Sequence, residues 1–136
     1  MNSIPVFPVT FMEDGSAECR ARIMTSTNNS TEAIPGEGYP AKQANLTSIT
    51  YKVTDLTDTS QTAVTGTVTI SSAVYDTLQD HPLWQFTKGY NFFFTLPPTC
   101  FPIGGHTYTA EFKITYSGGD VGWLIFEGLA RGVQTS

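Results

Sequence analysis

Apolar and polar residues alternate along most of this chain, and that period of two predicts strands. Ala17, Cys19, Ala21 and Ile23 take every second place, with Ser16, Glu18, Arg20 and Arg22 between them. The same rhythm returns in Ile49, Tyr51 and Val53, and again in Val64, Gly66, Val68 and Ile70. The polar stretch 55–61 separates these two runs, so they read as a hairpin. The longest alternation runs from His106 to Tyr116. Tyr108, Ala110, Phe112, Ile114 and Tyr116 lie on one face, and Thr107, Thr109, Glu111, Lys113 and Thr115 on the other. Ser117-Gly118-Gly119-Asp120 supplies turn chemistry, after which Val121–Glu127 returns as a strand apolar on both faces. Val121, Trp123 and Ile125 form one of those faces, Leu124 and Phe126 the other. Such a strand is either central in its sheet or covered from outside the domain. Tyr90–Leu96 is a further, aromatic strand stopped by Pro97-Pro98.

Four stretches depart from this rhythm. Residues 1–15 mix β-formers with Pro5 and Pro8, which cannot donate to a ladder, and so predict an arm or edge strand. Residues 24–45 are rich in Thr, Ser, Asn, Gly and Pro and predict a long loop, of the kind that is often functional. Ser72 can cap a short helix carrying Ala73, Val74 and Leu78, limited by Pro82. Residues 129–136 read as a flexible tail. The expectation is an all-β chain: an immunoglobulin-like antiparallel β-sandwich of about seven strands over 16–128, with one short helix and a long loop. No internal repeat or second domain is visible.

Composition sharpens this picture. Nine Phe, six Tyr and two Trp supply ample apolar area for a core. Charged residues are only 14% of the chain, well below the ~25% usual in soluble domains. A neutral, hydroxyl-rich surface is poorly defended against association, so a partner is expected to cover part of it. The net charge is −5, and the seven Lys and Arg form no run, which argues against nucleic acid as partner. No apolar stretch is long enough for a bilayer-spanning helix, so no membrane is expected. Met1–Pro5 has no basic start followed by an apolar run, so no secretory leader is expected there. Cys19 and Cys100 lack CxxC or metal-site spacing; buried free thiols are expected, with a bridge across two sheets as the alternative. The Asn-x-Ser/Thr triplets at Asn28, Asn29 and Asn45 are what chance produces in a Ser/Thr-rich chain.

Catalytic signatures are absent: there is no Gly-x-Ser-x-Gly elbow, no phosphate-cradling loop and no His-Glu-x-x-His helix. His81 sits in Asp80-His81-Pro82, expected to be a structural or exposed loop residue. His106 opens a strand and is expected to be a hydrogen-bonded strand-end residue. Asp55, Asp58, Asp76, Asp80 and Asp120 fall in or near loops without calcium-site spacing and read as turn formers. No catalytic residue, cofactor or metal ligand is therefore expected. The aromatics Tyr39, Trp84, Phe86, Tyr90 and Phe93 could stack on sugars, anchor a protein interface, or form a second layer of core. The candidate contact residues are Pro5, Phe7 and Pro8 in the arm, Tyr39 in the long loop, Trp84, Phe93, and Leu124 and Phe126 in the closing strand.

Two blocks carry a resemblance. One is Ala44-Asn45-Leu46-Thr47-Ser48-Ile49-Thr50-Tyr51-Lys52-Val53-Thr54-Asp55. The other runs from Tyr90-Asn91-Phe92 through Phe101-Pro102-Ile103-Gly104-Gly105-His106-Thr107-Tyr108-Thr109-Ala110-Glu111-Phe112 to a Gly turn and a closing strand. Over roughly 44–127 the chain resembles small immunoglobulin-like proteins encoded among the structural genes of tailed phages. It is similar also to the N-terminal domains of phage baseplate upper proteins. The resemblance implies a non-enzymatic virion component: a tail, baseplate, neck or head-decoration subunit, made in the host cytoplasm and carried in the particle. Its partners would be other virion proteins and, within the particle, further copies of itself. The rival expectation is a carbohydrate-binding β-sandwich module that takes a glycan on Trp84, Tyr39 and neighbouring aromatics. A small sandwich enzyme, with a polar cluster in a cleft, is a third.

Overall fold

The structure is a computed structural model and describes residues 6–80 and 89–132. Its elements in chain order are β1 (Val6–Pro8), β2 (Phe11–Met12), β3 (Ala17–Ala21), β4 (Met24–Thr25), β5 (Tyr39–Pro40), β6 (Leu46–Asp55), β7 (Val64–Val68), α1 (Ile70–Ala73), β8 (Val74–Gln79), β9 (Tyr90–Leu96), β10 (Thr107–Tyr116) and β11 (Val121–Arg131). Short 3₁₀ turns cover Gln43–Asn45 and Pro98–Cys100. Strands β3 and β6–β11 carry the fold. The other four span only two or three residues each.

The larger sheet has the order β1-β11-β10-β6-β7, with β2 also beside β11. The smaller has the order β3-β9-β8. Every pairing is antiparallel except those of β1 and β2 with β11. The inward rows read from the alternation meet between the sheets, giving an all-β, sandwich-like fold. Phe112 is at the centre, with ring centroids 5.2 Å from Phe92 and 5.9 Å from Phe94 on the facing sheet. Tyr51 lies 6.0 Å from it and Phe126 5.8 Å, both within its own sheet. These offset and edge-on contacts suit the aromatic quadrupole better than direct stacking.

Several expectations are corrected. The helix is a single turn over Ile70–Ala73 that follows Thr69, so Ser72 lies within it and does not cap it. Val74 and Leu78 belong to β8 instead, because Val74 pairs with Phe92 of β9 and the strand's edge-to-sheet bonds outweigh a weak helical spacing. Residues 129–131 are not a loose tail: β11 continues to Arg131, and Ala130 is fully buried beside Phe11, while 133–136 lie outside the described residues. The arm is part of the fold as well. β1 is the edge strand expected, while Phe11 of β2 is a core residue stacked on Phe101 at 4.2 Å.

The long 24–45 segment carries structure of its own. β4 pairs with β5, and Ile34 bridges to Gly38. It is tied down by Asn91, a buried polar residue on β9. The Asn91 side chain accepts from Ile23 N–H at 2.7 Å and donates to the carbonyls of Ile23 at 2.9 Å and Ala41 at 3.0 Å. A buried amide with its bonds made stabilises the junction it spans, where an unbonded one would destabilise it.

Candidate functional site

The outer face of the larger sheet is the most distinctive surface of the described residues. On β11 the even-numbered residues Leu124, Phe126 and Ala130 point into the core, so the odd-numbered ones point out. This corrects the expectation for Leu124 and Phe126, which are 5% and 2% exposed and are core residues, not contacts. The hairpin register decides it: Leu124 lies opposite Phe112 and Phe126 opposite Ala110, so all four share the inward face. Among the described residues the outward row, which also holds Glu127, is left uncovered. Val121 is 47% exposed, Trp123 38% and Leu129 49%. Two neighbours from the arm extend it, Val6 at 52% and Met12 at 45%. Val6 lies beside Ile125, and Met12 beside Arg131. From Val121 to Leu129 the row runs about 26 Å, at about 3.3 Å per residue.

Next to this apolar row, on β10, β6 and β7, the same face is polar and hollowed. Thr50, Tyr51, Lys52, Thr65, Gly66, Thr67, Glu111, Lys113 and Trp123 line an open groove of about 520 Å³. Two cross-strand rows build it. Trp123 is opposite Lys113, Lys113 opposite Thr50, and Thr50 opposite Thr67. One step along, Glu111 is opposite Lys52, and Lys52 opposite Thr65. Residues directly opposite are close enough for their side chains to act together. Among the described residues, neither Lys52, Glu111 nor Lys113 forms an ion pair or a side-chain hydrogen bond.

The other candidate contacts are scattered. Phe7 is half-buried, its ring 5.1 Å from Phe126, and Pro8 is exposed on the edge strand β1. Tyr39 is half-buried opposite Thr25. Phe93 is half-buried with the Arg20 guanidinium 4.6 Å above its ring, on the outer side of the smaller sheet. Pro5 and Trp84 lie outside the described residues, as do Phe86 and His81. The structure thus brings Pro8 beside the exposed row, turns Phe7 inward onto the core residue Phe126, and leaves Tyr39 and Phe93 elsewhere. The residues that sequence reasoning passed over are Lys52, Glu111 and Lys113, read only as outward positions. Their signal was the shared parity of β6 and β10, which needs the register to become a site.

His106 is hydrogen-bonded at the strand end, as expected. Its Nδ1 lies 2.7 Å from Asp55 Oδ2, while Asp55 Oδ1 accepts the backbone N–H groups of Thr57 at 2.9 Å and Asp58 at 3.0 Å. Burial alone would raise the Asp55 carboxyl. The bonds from His106, Asp58 and Thr57 and the charge of His106 outweigh it and hold the group below its ordinary value. Thr107 N–H donates to Thr57 Oγ1 at 2.9 Å, so the pair clamps loop 55–61 to the start of β10. Among the described residues no third group bonds to the His106 side chain, and no cluster of three His, Cys, Asp or Glu could hold a metal. Cys19 and Cys100 are free and buried, as expected. Burial, with a smaller push from nearby Cys100, raises the Cys19 thiol to about 12, and burial raises Cys100 to about 11. Comparison with family models, with curated proteins and with solved structures finds no significant match for this chain.

Proposed function

We propose that this chain is a non-enzymatic structural and assembly subunit of a tailed-phage particle, acting through protein–protein contacts. The observation that carries the reading is the uncovered apolar row of Val6, Met12, Val121 and Leu129 along β1, β2 and β11. Exposed apolar side chains gathered on one face of a domain this poor in charge, with Glu127 the acidic residue among them, mark a surface that a partner covers. The row includes the arm, an element suited to exchange or strand addition between subunits. Its partners would be other virion proteins or further copies of the same chain, after synthesis in the host cytoplasm.

Two features support the immunoglobulin-like part of the resemblance. The sheet orders β1-β11-β10-β6-β7 and β3-β9-β8 follow the strand adjacency of that sandwich. Near the start of β10, Tyr108 folds its hydroxyl back on the chain. It accepts from Ile103 N–H at 3.1 Å and donates to the Ile103 carbonyl at 3.3 Å, a tyrosine corner. Ala110 stands where such domains often carry the second cysteine of their bridge, consistent with an unbridged Cys19.

The test is the mass of the purified protein by light scattering, alone and mixed with the proteins encoded beside its gene. A ring-sized oligomer or co-elution with a capsid or tail protein is expected, weakened at least tenfold by the double variant Val6→Asp, Leu129→Asp. A persistent monomer that ignores those neighbours would sink the proposal.

A further inference from the structure

We propose that the groove on the outer face of β10, β6 and β7 is a binding site for an acidic glycan. Trp123 is its stacking platform, and Lys52 and Lys113 are the partners of the sugar carboxylates. This goes beyond the assembly reading and uses a different set of side chains, centred on strands interior to the sheet.

Three observations carry it. First, the groove puts a half-open indole beside hydroxyl groups, with Thr50, Thr65 and Thr67 around it. A sugar has an apolar ring face and a rim of hydroxyls, so an aromatic plane flanked by short polar side chains matches it. Secondly, the charge is placed against the protein's own balance. The chain carries net −5, yet two of its lysines, Lys52 and Lys113, stand in this one hollow with a single carboxylate, Glu111. Neither ammonium is engaged within the described residues. Lys113 lies directly opposite Trp123, so a ring stacked on the indole carries its carboxylate into reach of that ammonium. Glu111 is left to accept from sugar hydroxyls.

Thirdly, the backbone at the centre of the groove, on β10 and β6, is already used. Lys113 pairs with Thr50 on one side and Trp123 on the other, and Glu111 pairs with Lys52 and Ile125. An extended peptide is usually captured by main-chain bonds at a free sheet edge; the groove's own such edge is β7, while Trp123, Lys113 and Lys52 stand on β11, β10 and β6, which have strands on both sides and present side chains alone. That favours a glycan over a peptide.

Calorimetric titration of the full chain tests it, with tetramers of galacturonic acid, glucuronic acid and sialic acid as acidic probes. Maltotetraose is the neutral comparator, and a Glu-rich, Phe-containing peptide the other polymer class. At least one acidic tetramer is expected to bind ten times more tightly than maltotetraose, and less tightly as salt is raised. Lys113→Gln and Lys52→Gln should each weaken acidic binding about fivefold and flatten its salt dependence. Trp123→Ala should remove binding and Trp123→Phe retain part of it, each with the melting curve checked. Val6→Asp, on the apolar row, should leave the affinity unchanged, which separates this site from the assembly contact. Equal binding of acidic and neutral tetramers, no binding of any acidic tetramer, preference for the peptide, or indifference to Trp123→Ala would each overturn the proposal.

Discussion

Asp55 ends β6 as the last residue of an alternating strand, and nothing in its neighbours sets it apart from the other turn aspartates. In the structure it is buried and bonded to His106, Thr57 and Asp58, and these contacts favour its ionised form. Because its folded pKa lies below the unfolded value of ~3.9, its contribution to stability is fully present above that value. It is lost as pH falls through the folded value. Thermal melts should therefore show the native protein losing stability below about pH 4 more steeply than Asp55→Asn does. At pH 7 the variant should be less stable by about 2 kcal/mol, the scale of a charged hydrogen bond. Equal acid slopes for the two proteins would contradict this account. The role of His106 was legible in advance as a strand-end hydrogen bond. Its partner was not, because residues 55 and 106 are neighbours only once β6 and β10 are in register.

At the scale of elements, the arm shows what local patterning misses. Two prolines identify an edge strand, yet Phe11 belongs to the core and β11 runs on to Arg131 to receive it. Gly128 makes that path possible. A methyl group there would sit 1.7 Å from the carbonyl oxygen of Val9, where the arm crosses β11 between β1 and β2. Side-chain bulk at that crossing forces backbone apart, which costs more than displacing a flexible side chain. Gly128→Ala should lower stability by about 3 kcal/mol and speed proteolytic cleavage near residues 9–10, with the rest of the sandwich retained. Unchanged cleavage and melting would show that the arm accommodates the methyl group. A single glycine before a polar tail reads as a terminator in sequence. Only the crossing reveals it as a close-approach site.

For the whole molecule, the two sheets share one core, so access to it should require cooperative opening. Cys19 on β3 and Cys100 after Pro98 report on this from separate parts of the chain. With thiols raised to about 12 and about 11, both should resist alkylation at pH 8, since the thiolate is the reactive form. Labelling should follow the denaturant dependence of global unfolding for both residues together, and prompt stoichiometric labelling of either in native buffer would count against a shared core. What the sequence determined by itself was that the chain is strand-rich and which residues share each inward row. Those follow from period-two burial and from composition, which are local properties. What the tertiary structure alone decided was which face of Val121–Arg131 remains uncovered, and that Trp123, Lys113 and Lys52 share one groove. Side-chain parity is written in each strand, but adjacency between strands is set by register, and register belongs to the assembled sheet.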